Sequence, residues 1–376
     1  MYKRILNLTK LLNRKSFFLF GPRGTGKTTL IHNTLPEATI IDLLEIRTYR
    51  DYLKNPSMIS EQNLNPVVVI DEVQKLPEIL DEVHRLIETA SLKFLLTGSS
   101  ARKLKRGGAN LLAGRAWWAE MFPLTSREIP EFDLTTYLNR GGLPAIYSSN
   151  DYVEELNAYT ALYLKEEIQA EALTRKVSNF SEFLDLMALC NGEEVNYQSI
   201  ALDCGVSANS IKNYIEILQD TLIAFQLRAF TKTRLRKAIS RSKLYFFDVG
   251  VTNTLAGRGY IKEGSELFGK AFEHFIVMEV RAWLSYSRKK IDMYYWRSTS
   301  RFEVDVIIGN QWAIEIKSST SVHDKHLKGL RALKEEGLIQ HYGVVSRDRQ
   351  ERKTKDGITI MPWKVFLEKL WNGEMI

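Results

Sequence analysis

The chain has 376 residues, 44% hydrophobic and 26% charged, and 52 Lys and Arg against 45 Asp and Glu give it a net charge of +7. That length and balance predict two to three domains with apolar material for more than one core, and a positive excess that suits an anionic partner without demanding one. No apolar run approaches the roughly 18–20 residues that span a bilayer, Lys10, Arg14 and Lys15 break up what would be the apolar region of a signal peptide, and Cys190 and Cys204 form no C-x-x-C pair, so the expectation is a cytoplasmic protein in a reducing compartment, without a membrane partner.

The first third alternates strands and helices. Short apolar runs at 16–20, 38–42, 66–71 and 92–97 have the β-branched and aromatic character of buried parallel strands, and apolar residues at 76, 79, 80, 83, 86 and 87 have helical spacing. This alternation predicts a parallel sheet wrapped by helices. After the first run, Gly21, Pro22, Arg23, Gly24, Thr25, Gly26, Lys27 and Thr28 fit G-x-x-x-x-G-K-[ST]. Glycines let backbone N–H groups converge on phosphates, and a helix N-terminus adds a positive dipole. Lys27 would reach the β- and γ-phosphates, Thr28 would place its hydroxyl on Mg²⁺, and Thr29 extends the cradle. The third run ends in Asp71 and Glu72. Asp71 would hold the magnesium and Glu72 would act as base toward the attacking water, although two carboxylates at a strand end also suit a helix cap. The fourth run closes on Thr97, Gly98 and Ser99, where a polar side chain would sense the γ-phosphate or cap a helix.

These motifs, FGPRGTGKTTL (20–30), VVVIDEVQKLP (67–77) and LLTGSSARKL (95–104), together with LAGRAWWAEMFPLTSREI (112–129), resemble the AAA+-superfamily ATPases of bacteria and archaea that carry a nuclease-like C-terminal domain. The resemblance runs from residue 1 to beyond 320. It implies a P-loop ATPase fold with ATP and Mg²⁺ as cofactors. It also implies that Arg115 acts as an arginine finger across a subunit interface, and therefore a homo-oligomer. A structural arginine in a basic loop with Arg102, Lys103, Lys105 and Arg106 is the competing reading of Arg115.

The middle of the chain, from Thr135 to Phe183, is rich in helix formers and is broken at Gly141-Gly142-Leu143-Pro144, a plain interhelical turn or a hinge. Tyr197 to Leu202, a turn at Cys204 to Val206, and a helix capped by Ser207 with Ile211, Tyr214, Ile215 and Leu218 on its apolar face form a helix-turn-helix pattern. If this module reads DNA, Asn209, Ser210, Lys212 and Asn213 face the groove; AAA+ proteins also use it as a spacer. From Arg228 to Lys243, seven basic residues follow without an acidic one, and a β-wing bearing Arg234, Arg236, Lys237 and Arg241 would neutralise phosphates.

In the last third, an apolar run from Lys243 and a helix over about 267–285 precede strands at 293–297, 302–308 and 312–317, the last two joined by Gly309-Asn310 as a hairpin. Asp305 followed by Glu315-x-Lys317 resembles the PD-(D/E)xK nuclease core. There two carboxylates would bind Mg²⁺ or Mn²⁺ and Lys317 would orient water or offset developing charge. Glu273 matches that core's additional acidic residue, so the resemblance implies metal ligation by Glu273, Asp305 and Glu315. Val304 stands where the named motif has proline. Cross-strand ion pairs, or an inactive nuclease fold kept for binding, would use the same residues.

The expected architecture is α/β: a P-loop ATPase domain over 1–130, a helical and winged-helix middle over 131–247, and a PD-(D/E)xK nuclease-like α/β domain over 248–376. The expected function is Mg²⁺-dependent ATP hydrolysis by a DNA-binding AAA+-type ATPase. An ATP-gated endonuclease and an ATP-switched regulator with a silent nuclease fold are the alternatives.

Overall fold

A computed structural model describes residues 2–100, 102, 104, 112, 114–164 and 177–376; Lys103, Lys105, Arg106 and the span 165–176 lie outside the described residues. In the first part, β1 (Ser16–Phe20), helix α1 (Lys27–Thr34), β2 (Thr39–Asp42), β3 (Val67–Asp71), helix α2 (Ile79–Thr89), β4 (Lys93–Gly98) and β5 (Ala116–Glu120) follow one another. The strands form a parallel sheet in the order β2-β3-β4-β1-β5. Alternation along β1 sends Phe18 and Phe20 into one apolar cluster and Phe17 and Leu19 into another, as expected of a central strand covered on both faces. The structure adds β5 to the four expected strands. It is an edge strand, half-buried along most of its length, and its apolar Ala116–Ala119 ends in Glu120, which pairs with Arg281.

Helices at 134–140, 144–148, 152–158 and 177–189 lead to α3 (Tyr197–Asp203) and α4 (Ala208–Asp220). The Ser207 side chain accepts from Ser210 N–H, and Ile211, Tyr214, Ile215 and Leu218 are buried, as the periodicity predicts. Next come β6 (Ala224–Ala229), β7 (Lys243–Phe246), α5 (Val249–Leu255), α6 (Glu266–Tyr286), β8 (Met293–Arg297), β9 (Glu303–Ile308), β10 (Trp312–Ile316), β11 (His341–Ser346), β12 (Arg352–Lys353) and β13 (Thr359–Pro362). They build a mixed sheet in the order β12-β13-β11-β10-β9-β8-β6-β7. The expected hairpin is present, with β9 antiparallel to β10 across Gly309, whose φ is +56°. The wing strands β6 and β7 also pair antiparallel, but β6 continues in parallel with β8. The boundary expected at 247 therefore falls inside a sheet.

Helix α6 is the long element between the two sheets. Its Arg281 pairs with Glu120 of β5 at 2.9 Å, and its Glu279 accepts from Ser126 N–H at 2.7 Å, Ser126 Oγ at 3.0 Å and Trp371 Nε1 at 2.7 Å.

Candidate functional site

The glycine-rich turn between β1 and α1 has the backbone its sequence calls for. Gly24 and Gly26 have φ of +76° and +90°, and a Cβ on Gly21 would lie 2.5 Å from the Met121 carbonyl oxygen. Lys27 begins α1, is buried, and donates to the carbonyls of Gly21 at 2.6 Å and Pro22 at 3.3 Å. Thr28 and Thr29 are exposed on the first turn. The parallel register brings the ends of β1, β3 and β4 together beside this turn. Thr28 Oγ1 donates to Asp71 Oδ2 at 3.3 Å, Thr97 Oγ1 donates to Asp71 Oδ1, and the Glu72 N–H lies 3.2 Å from Asp71 Oδ1. Glu72 takes a left-handed backbone, and its carboxylate accepts from Gln74 Nε2 and, at 3.5 Å, from Ser99 Oγ. Hydroxyl and carboxylate oxygens are the donors a hard divalent cation prefers, so Thr28 and Asp71 suit magnesium chemically.

Two residues here escaped the sequence reading. Gln74 is buried and bridges Glu72 and Ser99, 3.3 Å from the latter. Arg4 donates to Thr25 O at 2.6 Å, Phe122 O at 2.6 Å and Glu128 Oε1 at 2.9 Å, and reaches Tyr286 Oη on α6 at 3.4 Å. Gln74 falls inside the 67–77 motif without a role assigned to it there, and Arg4 lies outside every motif; only the fold brings them to the site. A cleft of about 1330 Å³ opens beside α1, bounded by Tyr2, Arg4, Gly26, Thr29, Pro144 and Ser148. The Gly141–Pro144 break belongs to this region. Tyr159 Oη donates to Arg23 O at 3.1 Å, and Gly142 N–H donates to the buried Asp248 at 2.7 Å. Burial pushes Asp248 up to about 6.

Arg115 pairs with Glu88 of α2 in its own chain, through Nε at 2.7 Å and Nη2 at 2.5 Å, on a partly exposed surface.

A second pocket, of about 280 Å³, lies on the carboxy-terminal sheet and is lined by Glu193, Lys243, Tyr245, Glu273, Glu303, Asp305, Glu315 and Lys317 among others. Lys317 Nζ is 2.6 Å from Glu315 Oε1 and 3.8 Å from Asp305 Oδ2, and Asp305 Oδ2 accepts from Ile316 N–H at 2.7 Å. Glu273 accepts from Tyr245 Oη at 2.7 Å. Lys243 is 2.7 Å from Glu303 and 3.7 Å from Glu273. Burial, then the neighbouring Asp305, pushes the Glu315 carboxyl well above the usual range. Burial opposes the charge on Lys317, but Asp305 and Glu315 outweigh it and hold the ammonium above the ordinary lysine range. Among the described residues no three His, Cys, Asp or Glu side chains are grouped as metal ligands would be. Of the expected triple, Asp305 and Glu315 share Lys317, while Lys243 and Tyr245 engage Glu273. A cation still fits the remaining pair, because Glu315 Oε2 is buried without a hydrogen-bond partner.

Of the basic positions expected on a nucleic acid, Lys212, Arg234, Lys237 and Arg241 are exposed. Arg236 is engaged, pairing with Glu335 and donating to Ala332 O at 3.0 Å. Glu336 holds the loop by accepting the N–H groups of Arg234, Leu235 and Arg236. Lys243, counted with the basic run in the sequence, is buried in the second pocket.

Residues 13–130 match the family described as AAA domain. Residues 131–261 and 268–366 match two further families, each described as a domain of unknown function, DUF8612 and DUF4143. An uncharacterized protein of Mycobacterium tuberculosis is 25% identical over 329 residues, covering 84% of this chain and 73% of that protein. One of Methanocaldococcus jannaschii is 24% identical over 415 residues, covering 94% and 85%. The Aeropyrum pernix ORC1 protein, solved in complex with DNA, is 13% identical with a TM-score of 0.23, covering 65% of this chain and 87% of that one. That overlap is too loose to bear on function. Among the described residues no helix is long and apolar enough to cross a membrane.

Proposed function

We propose that this protein is an AAA-type, Mg²⁺-dependent ATPase that binds DNA. The observation that carries the reading is the hydrogen bond from Thr28, next to Lys27, to Asp71, next to Glu72, across the carboxyl ends of β1 and β3, which flank β4 in the parallel sheet. Backbone amides of the glycine turn would seat the phosphates, and Lys27 would turn from its two carbonyls to the β- and γ-oxygens. Glu72, steadied by Gln74 and Ser99, would take a proton from water. A magnesium ion beside Thr28 and Asp71 would neutralise charge on the triphosphate. The cleft beside α1 offers room for the rest of the nucleotide. Lys27→Ala is expected to abolish nucleotide binding and Glu72→Gln to retain binding while stopping phosphate release. Unchanged hydrolysis in both variants would remove the assignment. DNA binding draws support from the exposed Lys212, Arg234, Lys237 and Arg241. Adding duplex, single-stranded and branched DNA to the hydrolysis assay tests whether binding and turnover are linked.

A second reading concerns the carboxy-terminal pocket. The buried, unpartnered Glu315 Oε2 beside Asp305 and Lys317 supports a divalent-metal site of nuclease type. Asp305 and Glu315 would hold the ion and Lys317 would orient water or offset charge, while the bound metal would supply Lewis acidity toward a phosphodiester. Cutting that requires Mn²⁺ or Mg²⁺ and disappears in Asp305→Asn and Lys317→Ala is the expected result. Tight, salt-sensitive DNA binding without cutting would favour an ATP-switched regulator. Arg115 is proposed to act in a homo-oligomer only after leaving Glu88.

A further inference from the structure

We infer that Lys243 occupies the position of a second cation in the carboxy-terminal pocket and limits that pocket to a single divalent ion at Asp305 and Glu315. The inference rests on the metal reading above and adds a residue that reading does not contain.

Lys243 begins β7 and is 4% exposed, yet its ammonium is aimed at two carboxylates, Glu303 at 2.7 Å and Glu273 at 3.7 Å. It also lies over the Tyr295 ring, 5.2 Å from the centroid. A buried ammonium of this kind is a fixed charge rather than a mobile surface one. The pocket's charges divide into two halves. Lys243 serves Glu273 and Glu303, with Tyr245 Oη donating to Glu273. Lys317 serves Glu315 and Asp305. The halves differ in one respect: Glu315, 8% exposed, keeps an oxygen buried with no partner, whereas Glu273 and Glu303 have no such oxygen. The lining carries five carboxylates (Glu193, Glu273, Glu303, Asp305, Glu315) against three lysines (Lys243, Lys270, Lys317), a surplus of two negative charges that one divalent cation would neutralise. Without Lys243 the surplus becomes three, Glu273 keeps only the Tyr245 hydroxyl, and Glu303 keeps only Arg297 Nε at 3.8 Å. Lys243 is thus a positioning residue that withholds two carboxylates from metal.

The test counts Mn²⁺ bound to the full-length, nucleotide-free chain by electron paramagnetic resonance of the free ion. The pocket's share is taken as the difference from Asp305→Asn, whose amide oxygen can still accept from Ile316 N–H. The expected difference is one ion per chain for the unaltered protein, and Lys243→Met should bind one ion more than the unaltered protein; no increase in Lys243→Met overturns the role of Lys243. A difference of two in the unaltered protein overturns the role of Lys243 alone. A difference of zero overturns the metal reading itself. If Lys243→Met melts early, Glu303→Gln serves instead: it leaves Lys243 facing Glu273, and the count should stay at one with Mn²⁺ affinity changed less than threefold. Loss of the ion in Glu303→Gln would make Glu303 a ligand and overturn the inference.

Discussion

Glu72 holds a left-handed backbone at φ 57°, ψ 45°. For a non-glycine residue that conformation costs on the order of 1–2 kcal/mol. It turns the carboxylate back across the strand ends toward Gln74 and Ser99 instead of out along β3. The strain and the Gln74 hydrogen bond serve the same end, a fixed direction for one oxygen pair. Replacing Gln74 with Met should leave nucleotide affinity unchanged and lower the rate of phosphate release by about tenfold, the equivalent of one hydrogen bond of ~1.4 kcal/mol. Steady-state phosphate release beside equilibrium binding of a fluorescent nucleotide checks it, and a matching loss of affinity would count against the orienting role. The sequence announces Lys27, Thr28, Asp71 and Glu72 because their spacing is dictated by phosphate and metal chemistry. It assigns no role to Gln74 or Arg4, since a glutamine in a turn and an arginine near the chain start acquire meaning only from what folds against them.

At the scale of elements, buried strands and amphipathic helices were legible where one period ran unbroken. β1, β3, β4, α4, α6 and the β9–β10 hairpin lie within a residue or two of their expected places. The failures share a cause. β5, β6, β12 and β13 are short or half-exposed strands, and α5 follows a strand after two residues, so neither repeats its pattern long enough to be read. The basic segment between β6 and β7 shows the same limit in charge. Seven cations from Arg228 in β6 to Lys243 in β7, with no acidic residue among them, look alike in sequence, but Glu336 pins the backbone, Arg236 pairs inward and Lys243 is buried. Single replacements of Lys212, Arg234, Lys237 or Arg241 by Ala should weaken DNA binding. Each should also lessen the slope of log affinity against log salt by about 0.9 for every duplex phosphate left unneutralised. Arg236→Ala should leave that slope in place and lower the melting temperature instead. Titrations at several salt concentrations separate the two effects.

Across the whole molecule, α6 connects what the sequence presents as separate parts. Glu279, buried where α6 meets Ser126 and Trp371, is pushed up to about 7 by burial against the three groups that donate to it. With a folded value above the ordinary 4.5, its contribution is fully present below that pH and is lost as pH rises toward about 7. The loss is on the order of 3 kcal/mol. Glu279→Gln removes the titration. Its stability relative to the unaltered protein should therefore rise between about pH 4.5 and 7 and stay level above, as read by denaturant unfolding across that range. A difference independent of pH would show that Glu279 is already ionised at no cost.

The hairpin of β6 and β7 sets a rule for anyone who would dissect this protein. Its inner strand is clasped by β8, which arrives only after a helix of 21 residues. Severing the chain at 247 would strand that hairpin on one fragment and leave the other with a raw, unpaired flank ready to clump with its own kind. Neither piece should survive purification alone, whereas both made together in one cell should find each other and stay in solution.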